Sequence, residues 1–206
     1  MNIFLILISV SLPHSETYTY ETNDKGKIGN MIIETWFDSL GYHAIYKWED
    51  RVQQILFDAD DMSTRHVKKT IGEKLDYEIT REKDIRVYFQ GRRTTYYDKD
   101  PVYDRHALEY ALRGFEYSSD FSQIIKLHVP EFMIINARIS IDGRENVLTH
   151  FGDTECWKVK MSPRVLFLKW SFYFWIEVEY PHRFIRYSDS SGKNTISLIE
   201  YTDHSE

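Results

Sequence analysis

From Tyr18 onward polar and apolar residues alternate with a period of two, the repeat of a strand whose successive side chains point to opposite faces. In "MIINARISID" the residues Met133, Ile135, Ala137, Ile139 and Ile141 share one face, with Asn136, Arg138, Ser140 and Asp142 on the other. "WKVKM" sets Trp157, Val159 and Met161 against Lys158 and Lys160, and "DIRVYFQG" sets Ile85, Val87 and Phe89 against Arg86, Tyr88 and Gln90. A sheet with one covered side is predicted. Turn signals interrupt the run at "NDKGK", "SLGY", "IGEK", "DGREN", "FGD" and "SSGK". Links this short join antiparallel neighbours, because a parallel crossover takes about a dozen residues or more. The expected fold is mainly β: a curved antiparallel meander, half-barrel-like, wrapped around one amphipathic helix.

That helix is the segment "DRHALEYALRGF", where the period changes. Ala107, Leu108, Ala111, Leu112 and Phe115 fall on one helical stripe, Asp104 is placed to cap the start, and Gly114 sits where a helix stops. About three turns are predicted, covering the sheet's apolar face or plugging its concavity. His106 and Glu109, three apart, read as a pair on the helix's surface.

Parity also separates the stretch before the last turns. Leu166, Leu168, Trp170, Phe172, Phe174, Ile176 and Val178 form a wholly apolar face, opposed by Val165, Phe167, Lys169, Ser171, Tyr173, Trp175 and Glu177. A strand this long is expected to bend or bulge. Pro181 suits the second position of a turn from Tyr180 to Arg183. That turn sets Val178 opposite Ile185, Ile176 opposite Tyr187 and Glu177 opposite Arg186, while a four-residue loop with a shifted register is the alternative. The charges of "WIEVEYPHRFIRY" then belong to the wet face of a hairpin. A catalytic pairing of Glu179 with His182 is the weaker account, because an exposed tip offers no burial to retune a pKa.

Composition narrows the function classes. The chain has 206 residues, 26 Lys and Arg against 32 Asp and Glu, and a net charge of -6, without the basic stripe that nucleic acid requires. The patch "RRTTYYDKD" is followed at once by acids and reads as a solvated edge. Cys156 is the sole cysteine, which excludes an intrachain disulfide and a Cys-based zinc cage, and it reads as a small packed residue. The eight histidines are scattered without metal-face spacing, and no nucleophile elbow, P-loop or dinucleotide fingerprint occurs. No catalytic residue, metal or cofactor is expected. "MNIFLILISVSLPHS" carries an apolar run from Ile3 to Leu12, which matches a secretory leader and is too short to span a bilayer as a helix. Residues 1–15 therefore read as a signal peptide and 16–206 as a single β-rich domain, exported to the periplasm or beyond. A buried first strand is the alternative for the run.

Three stretches together resemble a bacterial exported-protein family known as domain of unknown function 3108. "DRHALEYALR" is similar to that family's Asp-Pro-Leu-Ser-Ala-Leu-Tyr-Tyr-Leu-Arg helix, with Arg105 in place of the proline. "GDTECWKVK" resembles its Ala-Gly-Thr-Phe-x-Ala-x-Lys-Val strand, and "FWIEVEYPHRFIRY" its closing hairpin. The resemblance covers the C-terminal half and implies an envelope location and a curved sheet around a helix, broadly like lipid-binding half-barrels. It implies no catalytic residues. Two functions follow. As a carrier, the protein would hold a lipid or other apolar molecule against Trp157, Trp170, Phe172 and Phe174, with Leu108 and Leu112 of the helix as plug or lid. As an interaction or structural module, the same residues would be filled core and another envelope protein would be the partner.

Overall fold

The computed structural model describes residues 12–129, 133–165 and 170–204. Among the described residues the chain forms β1 (Ser15–Asp24), β2 (Lys27–Asp38), β3 (Gly41–Trp48), β4 (Arg51–Phe57), β5 (Thr64–Ile71), β6 (Lys74–Arg81), β7 (Ile85–Phe89) and β8 (Arg92–Tyr96). After β9 (Val102–Asp104) comes α1 (Leu108–Ala111), flanked by 3-10 turns at Arg105–Ala107 and Leu112–Gly114. The remaining strands are β10 (Ser122–Val129), β11 (Met133–Thr149), β12 (Gly152–Pro163), β13 (Phe172–Glu177), β14 (Phe184–Asp189) and β15 (Asn194–Asp203). All lie in one curved, unclosed sheet, in which sequence neighbours pair from β1 to β8 and from β9 to β15, and β1 pairs with β15.

Every ladder is antiparallel except β9 with β10, which run parallel. The exception has a simple cause. The helical segment intervenes, and a link of 17 residues, 105–121, is long enough for a crossover that a tight turn forbids. The links Lys25–Gly26 and Gln90–Gly91 place both residues at positive φ, the two-residue turn whose twist suits an antiparallel pair. "YFQG" is thus a strand end and a turn, not continuous strand.

The "DGREN" signal is no turn. β11 runs straight through it, and a bulge sets Asp142 and Gly143 opposite the single residue Lys158, between the pairs Ile141–Val159 and Arg144–Trp157. Gly143 takes φ 127°, which supplies the bend without ending the strand. Further bulges at Thr19/Tyr20, Leu56/Phe57, Lys69/Thr70 and Trp175/Ile176 add curvature.

The sheet curls until β5 and β6 meet β9 and β10, without a backbone ladder between them among the described residues. Side chains close the seam instead. Thr64 accepts from the Asp104 backbone at 3.0 Å, Tyr103 donates to the Asp61 carbonyl at 2.9 Å, Arg81 lies 3.3 Å from His128 Nδ1, and Lys126 pairs with Asp98 at 2.6 Å.

The helical segment lies inside this curl. Asp104 accepts from the His106 N–H at 2.9 Å, as a capping residue should. Ala107, Leu108, Ala111, Leu112 and Phe115 are all buried, so the stripe is as expected. The three α-turns are not: one α-turn forms between two 3-10 turns, because so short a segment tightens at both ends. Its C-terminal end is clamped by a buried arginine. Arg113 donates to both oxygens of Glu16 at 2.8 and 3.1 Å and to the carbonyls of Pro181 and His182 at 2.9 Å each. Tyr18 and Tyr201 also donate to Glu16, and the guanidinium lies over the rings of Tyr18 and Tyr110. With every charge answered, the pair survives burial.

The closing hairpin departs from its expected register. Phe174 faces Tyr187 and Trp175 faces Arg186, a shift of two residues; past the bulge Ile176 faces Phe184, a shift of three, so parity changes there and Phe184 lines the interior beside Tyr187. The turn bond runs from the His182 N–H to the Glu179 carbonyl, which places the turn at Glu179–His182 with Pro181 third, after a cis peptide. The wet face is also drier than expected. Glu177 is buried and chelated by Arg183, at 2.7 Å from its Nε, and Trp175 is buried with its indole donating to Glu145 at 2.6 Å. Lys158 and Arg186 lie over that indole, so long cationic side chains roof the outer face. Residues 166–169 of the long predicted strand, and 1–11 of the leader run, lie outside the described residues. Trp170 and Ser171 precede the strand, which begins at Phe172.

Candidate functional site

The helix fills only part of the concavity. Its apolar stripe turns into the core, and its opposite face, carrying Arg105, His106 and Glu109, borders a cavity of about 600 Å³. The hollow opens beneath the β1–β2, β3–β4 and β14–β15 turns. One wall is apolar: Met161, Phe172, Phe174, Phe184 and Tyr187 from β12, β13 and β14, joined by Met31 and Ile196. On β12 and β13 those positions are the inward parity of the strand, and on β14 the bulge between Phe184 and Arg186 brings Phe184 and Tyr187, of opposite parity, onto the same wall.

The other wall is polar, and strand register explains it. Tyr46 of β3 pairs with Gln53 of β4, Gln53 with Lys69 of β5, and Lys69 with Tyr77 of β6. This row faces the helix. Gln53 donates to the His106 carbonyl at 3.1 Å and accepts from Tyr77 at 2.9 Å, so both ends of its amide are engaged. Lys69 pairs with Asp76 at 3.0 Å and lies over the rings of Trp48 and Tyr77. Tyr46 is different: its hydroxyl is buried beside the cavity and completes no hydrogen bond. Burial pushes this phenol well up, the nearby Glu109 carboxyl adds to the rise, and the phenol in turn pulls the Glu109 carboxyl down.

Burial dominates the floor. It pushes the Glu109 carboxyl up from 4.5 to about 7, against the backbone and the Tyr46 phenol, which pull it down, and with Asp104 adding a little to the rise. Burial, with Arg105 and Lys69 nearby, holds His106 down to about 3, so its imidazole is neutral. Both side chains keep some surface toward the hollow while the protein encloses them, which makes this an internal floor and corrects the expectation of a surface pair.

Of the residues singled out in the sequence, Phe172 and Phe174 line the cavity. Trp157 does not: it is buried between Tyr117, at 6.3 Å between ring centroids, and the Arg144 guanidinium, 3.8 Å over its ring. Trp170 packs edge-on against Phe172 at 4.8 Å, outside the lining. Leu108 and Leu112 are fully buried on the core side of the helix. Sequence reading passed over Tyr46, Gln53 and Lys69. Their signal was a polar group at core-facing parity, Gln53 with Ile55 and Phe57, Lys69 with Val67. Glu179 is exposed at the hairpin tip, away from the hollow, and His182 bonds the Glu177 carbonyl at 3.2 Å. Cys156 is buried, and burial pushes its thiol up to about 12.

Among the described residues, no group of three or more His, Cys, Asp or Glu is placed to hold a metal ion, and no helix is long and apolar enough to cross a membrane. No protein-family model matches the chain, and no curated protein matches it. Solved structures do. A β-barrel-like protein of domain of unknown function DUF1849 from Brucella abortus superposes with a TM-score of 0.57 at 13% identity, over 94% of this chain and 98% of that one. A hypothetical lipoprotein, YmcC, from Escherichia coli gives 0.40 at 9% identity over 93% and 88%, and a putative lipoprotein from Parabacteroides distasonis gives 0.37 at 10% over 95% and 98%. The first similarity is high enough to speak for shared architecture, and at that identity it speaks for the fold alone: a curved, barrel-like antiparallel sheet.

Proposed function

We propose that this is a non-enzymatic cell-envelope protein, exported to the periplasm or secreted, that holds an amphipathic small molecule inside its curled sheet. The observation that carries the reading is the cavity: about 600 Å³, within the usual range of small-molecule sites, with an aromatic wall and a polar floor. The hollow is open beneath the turns, which gives a small molecule a way in to the aromatic wall. The apolar run at Ile3–Leu12 supports export. Phe172 and Phe174, with Met161 and Phe184, are the residues proposed to meet the apolar part. Trp157, Trp170, Leu108 and Leu112 act one layer back, fixing the helix and wall.

The test is native extraction from the source envelope, followed by mass spectrometry of bound small molecules and titration with N-phenyl-1-naphthylamine, an uncharged dye that brightens in apolar sites. A copurifying amphiphile, or saturable dye binding weakened by Phe174→Ser, is expected. An empty protein that leaves the dye dark would overturn the reading. A partner-binding role draws on a different place, the β11–β12 tip, where Leu148 is 81% and Phe151 45% exposed. A photo-crosslinker at Leu148 that captures one envelope protein would favour it.

A further inference from the structure

We infer that the cavity takes an amphiphile with a cationic head, an organic ammonium, set against the Glu109 carboxyl and the Tyr187 ring while its tail lies along Met161, Phe172 and Phe174. This rests on the ligand-holding reading above and adds the charge of the occupant.

The first ground is which charges the protein answers itself. The basic side chains of the hollow are held: Lys69 pairs with Asp76 at 3.0 Å, Lys27 pairs with Glu49 at 2.6 Å, and Arg105 is engaged within the protein, 3.4 Å from His106 Nε2. Lys25, Arg51 and Asp24 stand at the exposed mouth, where water screens them. Arg113, four residues along the helical segment from Glu109, is bound to both oxygens of Glu16. Glu109 is the exception. It borders the hollow, and among the described residues its carboxyl has no ion-pair partner. An enclosed carboxylate without a counter-ion is costly, and an ammonium head supplies the missing charge together with N–H donors. An anionic head would add a second negative charge beside it.

Aromatic surface is the second ground. The rings of Phe172, Phe174, Phe184 and Tyr187 form one wall, with centroids 5.4 Å apart for Phe174 and Tyr187, 5.8 Å for Phe172 and Tyr187 and 6.4 Å for Phe174 and Phe184. Elsewhere the protein's own cations cover such rings, Lys69 those of Trp48 and Tyr77 and Arg113 those of Tyr18 and Tyr110. Among the described residues no Lys or Arg covers this wall, so its negative ring faces are open to a cation from outside. Tyr187 links the two grounds. Burial and Asp189 push its phenol up and Glu109 adds to the rise, which sets the carboxyl within electrostatic reach of the ring.

The groups around Glu109 leave it to titrate alone near neutrality. Tyr20 of β1, Tyr46 of β3 and Tyr187 of β14 are raised by burial and stay neutral, His106 on its own segment is held neutral, and Asp104 is capped onto the His106 N–H. A bound cation favours the ionised carboxyl, so its affinity rises as pH passes through about 7.

The experiment displaces N-phenyl-1-naphthylamine from the full chain with three twelve-carbon competitors, dodecyltrimethylammonium, monolaurin and laurate, each below the concentration at which it forms micelles. At pH 8 the cationic chain is expected to displace the dye at about ten-fold lower concentration than the other two. Its lead should shrink several-fold at pH 5.5, where Glu109 is protonated. Glu109→Gln should erase most of the lead at pH 8 and the pH dependence with it, while near-UV circular dichroism confirms the native fold. Displacement by monolaurin or laurate at equal or lower concentration, or a lead that survives in Glu109→Gln, overturns the head inference and leaves the cavity reading standing. An empty protein that leaves the dye dark overturns both.

Discussion

Glu109 offers a quantitative test of how deeply the helix is enclosed. Burial raises its carboxyl from 4.5 to about 7, so the folded chain holds a proton there that the unfolded chain releases. The sign follows from linkage. Where the folded state binds more protons, stability falls as pH rises, so this contribution is complete below pH 4.5, is lost between 4.5 and 7, and is flat above. A shift of that size corresponds to about 3 kcal/mol as an upper bound. His106 and His128, both held down to about 3 by burial, act in the opposite direction, adding stability as pH rises from 3 to 6.5. A difference between two proteins removes them. Glu109→Gln keeps the shape and cannot ionise, so urea unfolding of both proteins should give equal stabilities near pH 4.5. The variant should lead by up to about 3 kcal/mol at pH 8. A gap that stays constant from pH 4.5 to 8 would refute the buried floor and return Glu109 to the surface.

Three further outcomes follow from the packing. Arg113→Met should destabilise the fold by about 3–5 kcal/mol in urea, because Glu16 is left buried and charged, and adding Glu16→Leu should recover most of the loss. Gly41→Ala should cost about 2 kcal/mol or more in thermal unfolding, since its Cβ would stand 2.2 Å from the Phe57 carbonyl oxygen at φ 135°. Cys156, buried with its thiol pushed up to about 12, should ignore Ellman's reagent in the native protein and react once urea unfolds it. Prompt native reactivity would contradict its placement.

Much of the sheet is legible from parity because a half-buried strand leaves a period of two wherever one face is dry. Trp157 to Met161 and Ile85 to Phe89 follow it, and within 133–141 it holds at Ala137 and Ile139, while Met133, at the strand's start, is exposed. What parity does not carry is registration. Gly143 spells a turn and makes a bulge, since the same positive φ serves both and only the partner strand decides. The last hairpin slips by two residues at Phe174 and Trp175, which the hydrophobic pattern cannot see because such a slip keeps each side chain on its face, and by a third at the bulge, where Phe184 and Ile185 are both apolar and parity has nothing to choose between. The site was hidden differently. Arg105, His106 and Glu109 look like the solvated side of an amphipathic helix, and locally they are; the sheet curls around that side and encloses it. Glu16 did carry a signal, an acid sharing parity with Tyr18 and Tyr20, yet its answering charge, Arg113, stands 97 residues away.

The order of strands has one more consequence. The chain's first and last strands are not its margins: β1 and β15 pair at the centre of the sheet, bringing together residues such as Glu16 and Tyr201 that are 185 apart, while the margins β8 and β9 are consecutive in sequence. The arrangement is a simple zigzag cut open at an interior point, a circular permutation in which linking His204 to Ser15, already bonded at 2.8 Å, and opening 97–101 would make every neighbour sequential. The entropic burden of long-range closure therefore concentrates in one ladder. Removing β1 would not trim an edge; among the described residues it would divide the sheet into two seven-stranded halves that meet at the seam alone.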